Sequence, residues 1–318
     1  MFYSHSASLG DNQPEIEQHW QAGTKGHIST QLGNVFYFRH IPACAKYTLV
    51  LVNGRIESTY KYKELLWELA KNNIGVVTFD HPGQGYSDRL LANHQIGHID
   101  HFAQYREVLS LIITEQVTPH TKNWLFLAHS MGGAIVHNYL AYTPATSARG
   151  AFLSAPMFEI NTSPYPTWFA KWIAKAACTL GKATHFAIGQ QPYQPKPFAD
   201  NELTGCSARY HVFRELYAQH TELQLGGVSF GWLNAALNET TSKQPLPSAV
   251  PISIASAKHD SIVNSQAHFS FASQYALCTI KSYPGKHELL CEVDAIRRAV
   301  LMQCYEFADS VTLNETGS

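Results

Sequence analysis

The chain reads as an α/β protein: a mostly parallel, doubly wound sheet with a helical cap inserted into it. Three observations carry that reading. Apolar strand segments alternate with amphipathic helical ones between residues 47 and 157, the pattern of βαβ units with right-handed crossovers. The alternation stops over residues 158–247 and resumes at Val250. One stretch, residues 123–139, joins a buried strand to a helix through a turn made of small residues around Ser130.

Taken in order, His27-Ile-Ser-Thr-Gln-Leu32 and Val35-Phe-Tyr-Phe-Arg39 flank Gly33-Asn34, a hairpin signal. Tyr47-Thr-Leu-Val-Leu-Val52 has the continuous apolar character of a strand buried on both faces, and it runs into Asn53-Gly-Arg-Ile-Glu-Ser58. A glycine directly after such a strand lets the backbone turn at the carboxyl edge of the sheet, where ligands bind. A helix is predicted over residues 61–72, with Leu65, Leu66 and Leu69 on one face. Gly75-Val-Val-Thr-Phe79 is the next strand, and Asp80-His-Pro-Gly-Gln-Gly-Tyr-Ser87 after it reads as a structural turn. A helix over 99–117 precedes the strand at Trp124, and Gly150-Ala-Phe-Leu-Ser-Ala-Pro156 is a further strand.

Beyond Met157 strand signals vanish and prolines and aromatics cluster until Pro247. That length is too great for a plain loop, so 158–247 is expected to form the cap, and 1–157 with 248–318 the core. Within the cap, Pro166 to Gly181 has the start and stop signals of a helix. Trp168, Phe169, Trp172, Ile173, Ala176 and Leu180 share one face of it, and Lys171 and Lys175 lie on another. Such a face suits either the roof of an apolar pocket or a segment lying at a lipid surface. Strands follow at Val250-Pro-Ile-Ser-Ile-Ala255 and Cys278-Thr-Ile-Lys-Ser-Tyr283, then a closing helix over 289–307.

Composition narrows the function. The 318 residues carry a formal net charge of −1 with 15% charged residues, so no basic face recruits nucleic acid. Six scattered cysteines without a C-x-x-C pair suit reduced thiols of a cytoplasmic protein. Neither a secretory signal nor an apolar run long enough to span a bilayer is visible. Among 17 histidines, His94, His98 and His101 have helix-compatible ligand spacing, but no accompanying Cys or carboxylate set makes a metal site.

The chemistry concentrates at Ala128-His-Ser-Met-Gly132, close to the G-x-S-x-G pattern of a nucleophile elbow. Small residues are needed there because strand and helix approach closely while the serine hydroxyl faces a cleft. The Met131 N–H starts the helix, where it can donate to a developing oxyanion. A nucleophilic serine needs a base, and the base an orienting carboxylate. In this architecture they follow the serine in the order acid, then histidine, each past a strand end. Asp260 follows the strand ending at Ala255, and His287 the one ending at Tyr283. His259 is the rival base, but it would leave its neighbour Asp260 without a partner. The loop after the first parallel strand suggests the Arg55 N–H as second oxyanion donor.

On residues 53–58, 80–85, 128–133 and 284–289, the chain resembles the α/β-hydrolase family. Within it, the cap segment 203–210, with Gly226, Gly227 and Trp232, is similar to the bacterial lysophospholipase L2 and monoacylglycerol-lipase-like group. Asn53 departs from the His those lipases carry before the glycine. The resemblance implies a serine hydrolase that cleaves the carboxylic ester of a single-chain lipid, lysophospholipid or monoacylglycerol. It needs neither metal nor organic cofactor. A small-ester or amide hydrolase of aminopeptidase type is the alternative; a non-catalytic binding protein is disfavoured because serine and histidine are both kept. Trp168, Trp172, Arg209 and Arg214 are the cap residues expected to meet substrate, the arginines through a lipid phosphate. Contact of the cap with the inner membrane surface is a further expectation.

Overall fold

A computed structural model describes residues 1–242 and 249–312. Its sheet has eight strands among the described residues, in the order β1-β2-β4-β3-β5-β6-β7-β8. β1 (Thr24–Thr30) and β2 (Gly33–His40) form the hairpin, and β2 also pairs antiparallel with β4 (Gly75–Phe79). All remaining pairings are parallel: β4 with β3 (Thr48–Val52), β3 with β5 (Trp124–His129), then β6 (Ala151–Ser154), β7 (Ile252–Ala257) and β8 (Cys278–Tyr283). The mostly parallel, doubly wound sheet expected from the alternation is present.

Strand pleating sorts the central side chains into two cores. Leu49, Leu51, Leu125 and Leu127 face α2 (Lys63–Lys71) and α9 (Asp294–Thr312), meeting Leu65, Leu66, Leu69, Val300 and Leu301. Val50, Val52, Phe126 and Ala128 face the opposite layer, α3 (Ala103–Ile112) and α4 (Met131–Tyr142), through Val108, Leu109, Ile112 and Ile135. With apolar helices on both faces, the central strands are buried at every position, as their unbroken apolar character requires.

Several boundaries differ from the sequence expectation. The hairpin loop is Gln31-Leu32, and Gly33 opens β2 in the left-handed region at φ 95°. α3 starts at Ala103 because the Gln104 side chain folds back to accept the N–H groups of Asp100 and His101, closing the start of the helix. The closing helix begins at Asp294 after a single 3₁₀ turn, Leu289–Cys291. Glu292 causes that break: its carboxylate accepts the N–H groups of Gly205, Lys286 and Val293 and holds the preceding segment as a loop. An N-terminal helix, α1 (Leu9–Ala22), was not anticipated; it contains Pro14 and buries only Leu9, Ile16 and Trp20.

Between β6 and β7 the described residues contain helices and no named strand: α5 (Thr167–Thr179), α6 (Ser207–Gln219) and α7 (Phe230–Thr241). The cap boundary expected at residue 247 lies outside the described residues. α7 is tied to the core by the Trp232 indole donating to the Tyr105 hydroxyl at 3.1 Å, and α6 by the Tyr217 hydroxyl donating to the Ile56 carbonyl at 2.6 Å. α8 (Gln266–Gln274) returns the chain from β7 to β8. Among the described residues no helix is long and apolar enough to cross a membrane.

Candidate active site

β5 ends in a turn that holds Ser130 at φ 51° and ψ −119°, a costly conformation for a residue with a Cβ. Three hydrogen bonds pin it. The Ser130 N–H donates to the Ser154 carbonyl at 3.1 Å, and its own carbonyl accepts from Gly133 and Met157 at 2.9 Å each. The small residues are needed where α4 crosses the end of β3. A Cβ at Gly132 would lie 2.1 Å from the Val52 carbonyl oxygen, and one at Gly133 would lie 2.5 Å from the Pro156 Cβ.

His287, past β8, directs Nε2 at the Ser130 hydroxyl, 2.8 Å away, and Nδ1 at Asp260 Oδ2, 2.7 Å away. With Nδ1–H donating to the carboxylate, Nε2 is left to accept the serine proton. Asp260 Oδ1 accepts the N–H groups of Ile262 and Val263 at 2.9 and 3.0 Å. Burial alone would raise the Asp260 carboxyl, but His287 and these two N–H groups outweigh it and hold it below the usual range. Ser130, His287 and Asp260 thus form one hydrogen-bonded line, whereas the His259 side chain is exposed and outside it.

The loop after β3 runs against the serine: a Cβ on Gly54 would stand 3.2 Å from Ser130 Cβ. Gly54 spends its N–H on Glu57 Oε2, leaving the Arg55 N–H as the next one along, with no hydrogen-bond acceptor among the described residues. The Met131 N–H, first in α4, lacks an intrahelical acceptor by position. Asn53 donates its side-chain amide to the Phe79 carbonyl at 3.1 Å, and its own carbonyl accepts from His81 Nε2 at 2.9 Å. Gln84, which the sequence did not single out, donates to the carbonyls of Gly54 and Glu57 at 2.8 and 2.9 Å and so clamps the loop. Its own turn is wrapped around Asp80, which accepts the N–H groups of Thr59 and Tyr86. Burial pushes the Asp80 carboxyl up to about 6 against those two donors.

Behind this loop lies a buried charge cluster. Lys61 Nζ sits between Glu57 Oε1 at 2.8 Å and Glu288 Oε1 at 2.6 Å, and the His129 ring lies 4.8 Å from that of His287. Glu57, His129 and Glu288 are close enough together to hold a metal, but the Lys61 ammonium already supplies the cation their carboxylates need. His94, His98 and His101 do not converge. His98 is bonded to Ser229 Oγ at 2.7 Å, while His94 and His101 are exposed.

The cap residues require correction. Arg209 is buried, its guanidinium bonded to Glu64 and Asp294 at 2.8 Å and to the Glu292 carbonyl at 2.8 Å, so it anchors α6 rather than awaiting a ligand. Two carboxylates from α2 and α9 take the donors that the sequence reading reserved for a phosphate. Arg214 lies over the rings of Tyr210 and Phe213 and donates to the Tyr193 hydroxyl at 3.2 Å. α5 packs on α7 through its small residues, burying Ala174 and Ala177, which leaves Trp168 71% and Trp172 63% exposed. The aromatic face therefore turns outward instead of roofing the serine.

Comparison with known proteins follows the same lines. The model of the Hydrolase_4 family, described as serine aminopeptidase S33, matches residues 43–294. A probable lysophospholipase L2 of Haemophilus influenzae is 30% identical over 317 residues, covering 96% of this chain and 97% of that protein. The lysophospholipase L2 of Escherichia coli K12 is 31% identical over 274 residues, covering 81% and 79%. Among solved structures, a soluble variant of the Saccharomyces cerevisiae monoglyceride lipase superposes with a TM-score of 0.72 at 15% identity, over 92% of this chain and 97% of that one. A carboxyl esterase from Bacillus coagulans gives 0.70 at 15% identity, over 92% and 99%. At that identity the structural likeness speaks for the fold alone.

Proposed function

The chain belongs to the Hydrolase_4, serine aminopeptidase S33, family of α/β-hydrolases, and from that premise we propose that it cleaves the carboxylic ester of a single-chain lipid through an acyl-enzyme on Ser130. The observation that carries this reading is the line Ser130–His287–Asp260, with the serine on a strained turn beside two free N–H groups. His287 Nε2 takes the proton as Ser130 Oγ bonds to the ester carbonyl carbon. The Met131 and Arg55 N–H groups receive the oxyanion, and Asp260 stabilises the imidazolium. Collapse of the tetrahedral species breaks the ester C–O bond, and the imidazolium gives its proton to the departing alcohol. Water, deprotonated by the same imidazole, then attacks the acyl-enzyme and releases the fatty acid.

Relatives named as lysophospholipases support lysophospholipid as substrate, and monoacylglycerol is the other single-chain ester this reading takes in. The outward face of α5, with Trp168, Trp172 and Leu180 exposed and Lys175 beside them, is the surface we assign to contact with lipid aggregates. A substrate panel tests the reading: lysophosphatidylcholine, monoacylglycerol, short p-nitrophenyl esters and aminoacyl amides. We expect kcat/KM on a long-chain lipid ester at least about tenfold above that on the short esters, from burial of the acyl chain. Preferential cleavage of aminoacyl amides would replace this reading with the aminopeptidase one suggested by the family's description.

A further inference from the structure

Many of the cations drawn inward among the described residues are neutralised by carboxylates where they stand, while Arg89 is held by carbonyls and Arg214 by a hydroxyl and ring faces. Lys61 holds Glu57 and Glu288, Lys63 holds Glu17, Arg209 holds Glu64 and Asp294, and Arg297 holds Glu68. Arg55 differs from these ion-paired groups. Its guanidinium donates through one nitrogen to the Gly226 carbonyl at 3.1 Å and lies 5.6 Å from the centre of the Trp232 ring, and no described carboxylate is within ion-pair distance. Five N–H donors and a full charge are thus served by one neutral carbonyl and one ring face. Burial pulls the group down to about 10, against a weak opposing effect of Tyr105. Arg55 is half-buried, and a cation partly withdrawn from water with one neutral acceptor has donors to spare for a counter-charge.

Its place says what that partner is. Gly54, the preceding residue, abuts Ser130, while Gly226 and Trp232 belong to the cap. The guanidinium therefore sits on the seam between cap and core, one side-chain length from the reacting ester. A lysophospholipid carries its phosphodiester one glycerol unit from its ester, whereas a monoacylglycerol has only hydroxyls there. We propose that the Arg55 side chain is the phosphate-recognising group of this site, pairing with the headgroup phosphodiester of a single-chain phospholipid whose ester carbonyl lies at Ser130. This rests on the lipid-ester reading above. It moves headgroup recognition from Arg209, whose donors are taken, to a residue whose backbone N–H faces the chemistry and whose side chain faces the headgroup.

Binding separates this claim from turnover. In a Ser130→Ala background, calorimetry would measure the Kd of lauroyl lysophosphatidylcholine and of lauroyl monoglycerol, both below their micellar concentrations, for Arg55→Met, Arg55→Lys and Arg214→Met. Arg55→Met should weaken lysophospholipid binding about tenfold more than monoglycerol binding, as loss of charge-assisted bonds to a phosphate predicts. Arg55→Lys, which keeps the charge without the fork, should restore part of it and guards against a variant that merely fails to fold. Equal losses on both lipids would reduce Arg55 to a strut between loop and cap and overturn the proposal. So would a selective effect of Arg214→Met in place of Arg55→Met, or inorganic phosphate competing as strongly as the lysolipid, which would mark a free-anion site. Turnover of both lipids by the unaltered enzyme, measured in parallel, tests the hydrolase reading by itself. Turnover without selective binding removes only the Arg55 assignment, and absence of both removes the two together.

Discussion

The carboxyl edge of the sheet and the cap above it are held by different physics. At the edge, position comes from the local backbone: β5 ends, Ser130 is forced to φ 51°, and contacts with β3 and β6 that only small residues permit keep it there. In the cap, α6 is located by charges from far along the chain, with Arg209 reaching Glu64 across 145 residues and Asp294 on the closing helix. The groups proposed to act are thus placed by turns, and the surface that covers them by buried ion pairs. A change at the edge should then remove chemistry and spare stability, while a change at the cap anchor should do the reverse.

The largest effect expected is at the edge. Ser130→Ala should lower kcat on any ester by on the order of 10³-fold or more while leaving the denaturation midpoint where it was. A variant that lost stability in step with activity would erase the distinction between the two regions.

The cap anchor should behave in the opposite way. Arg209→Met takes the guanidinium from Glu64, which keeps Ser4 and the more distant Arg297, and from Asp294, which keeps Ser6. Breaking a buried pair of this kind costs about 3–5 kcal/mol, and the remaining partners put the expected shift of the urea midpoint at the lower end. Below its melting temperature it should keep most of its activity, and any change should be equal on lysophospholipid and monoacylglycerol. The same anchor has a pH signature. In Glu64 burial is outweighed by Arg297 and Arg209, and in Asp294 by Arg209 and Ser6, so both carboxyls titrate lower in the folded chain than their ordinary 4.5 and 3.8. The unfolded chain then takes up protons first as pH falls, so stability that is complete above those values is lost on acidification through the folded ones. Melting temperature followed between roughly pH 3 and pH 6 should drop for the unaltered protein and drop less for Arg209→Met. Parallel curves would show that the anchor contributes nothing.

The smallest effect is on the outer face of the cap. Trp168→Asp replaces an exposed side chain, so stability should move by no more than about 0.5 kcal/mol. Turnover of lipid in vesicles should fall while that of a dissolved short-chain ester falls less. Equal losses on both would return α5 to the role of pocket roof.

How far the sequence reaches follows the same division. The strands and the residues at their ends could be read because each is carried by a short contiguous stretch: an apolar run, then the residue that the turn presents. Ser130, Asp260 and His287 stand at strand ends in the chain order that a nucleophile, acid and base require, and the folded chain brings them within hydrogen-bond distance. Gln84 escaped because its turn offered only glycine and proline signals, and its partners are carbonyls that no sequence pattern marks. α1 escaped because Pro14 interrupts it and few of its residues are apolar. For Arg209 the sequence showed a cation in the cap but not the carboxylates that consume it. For α5 it showed an aromatic stripe but not its direction; Ala174 and Ala177, easily passed over as helix filler, decide which side faces inward.

The central claim is that Ser130 is the nucleophile, and the most direct test is to locate a covalent adduct. After stoichiometric reaction with a fluorophosphonate, peptide mass spectrometry should place the single phosphonyl group on Ser130, with no label on the Ser130→Ala protein. A label on another serine, or full labelling of the alanine variant, would contradict the account.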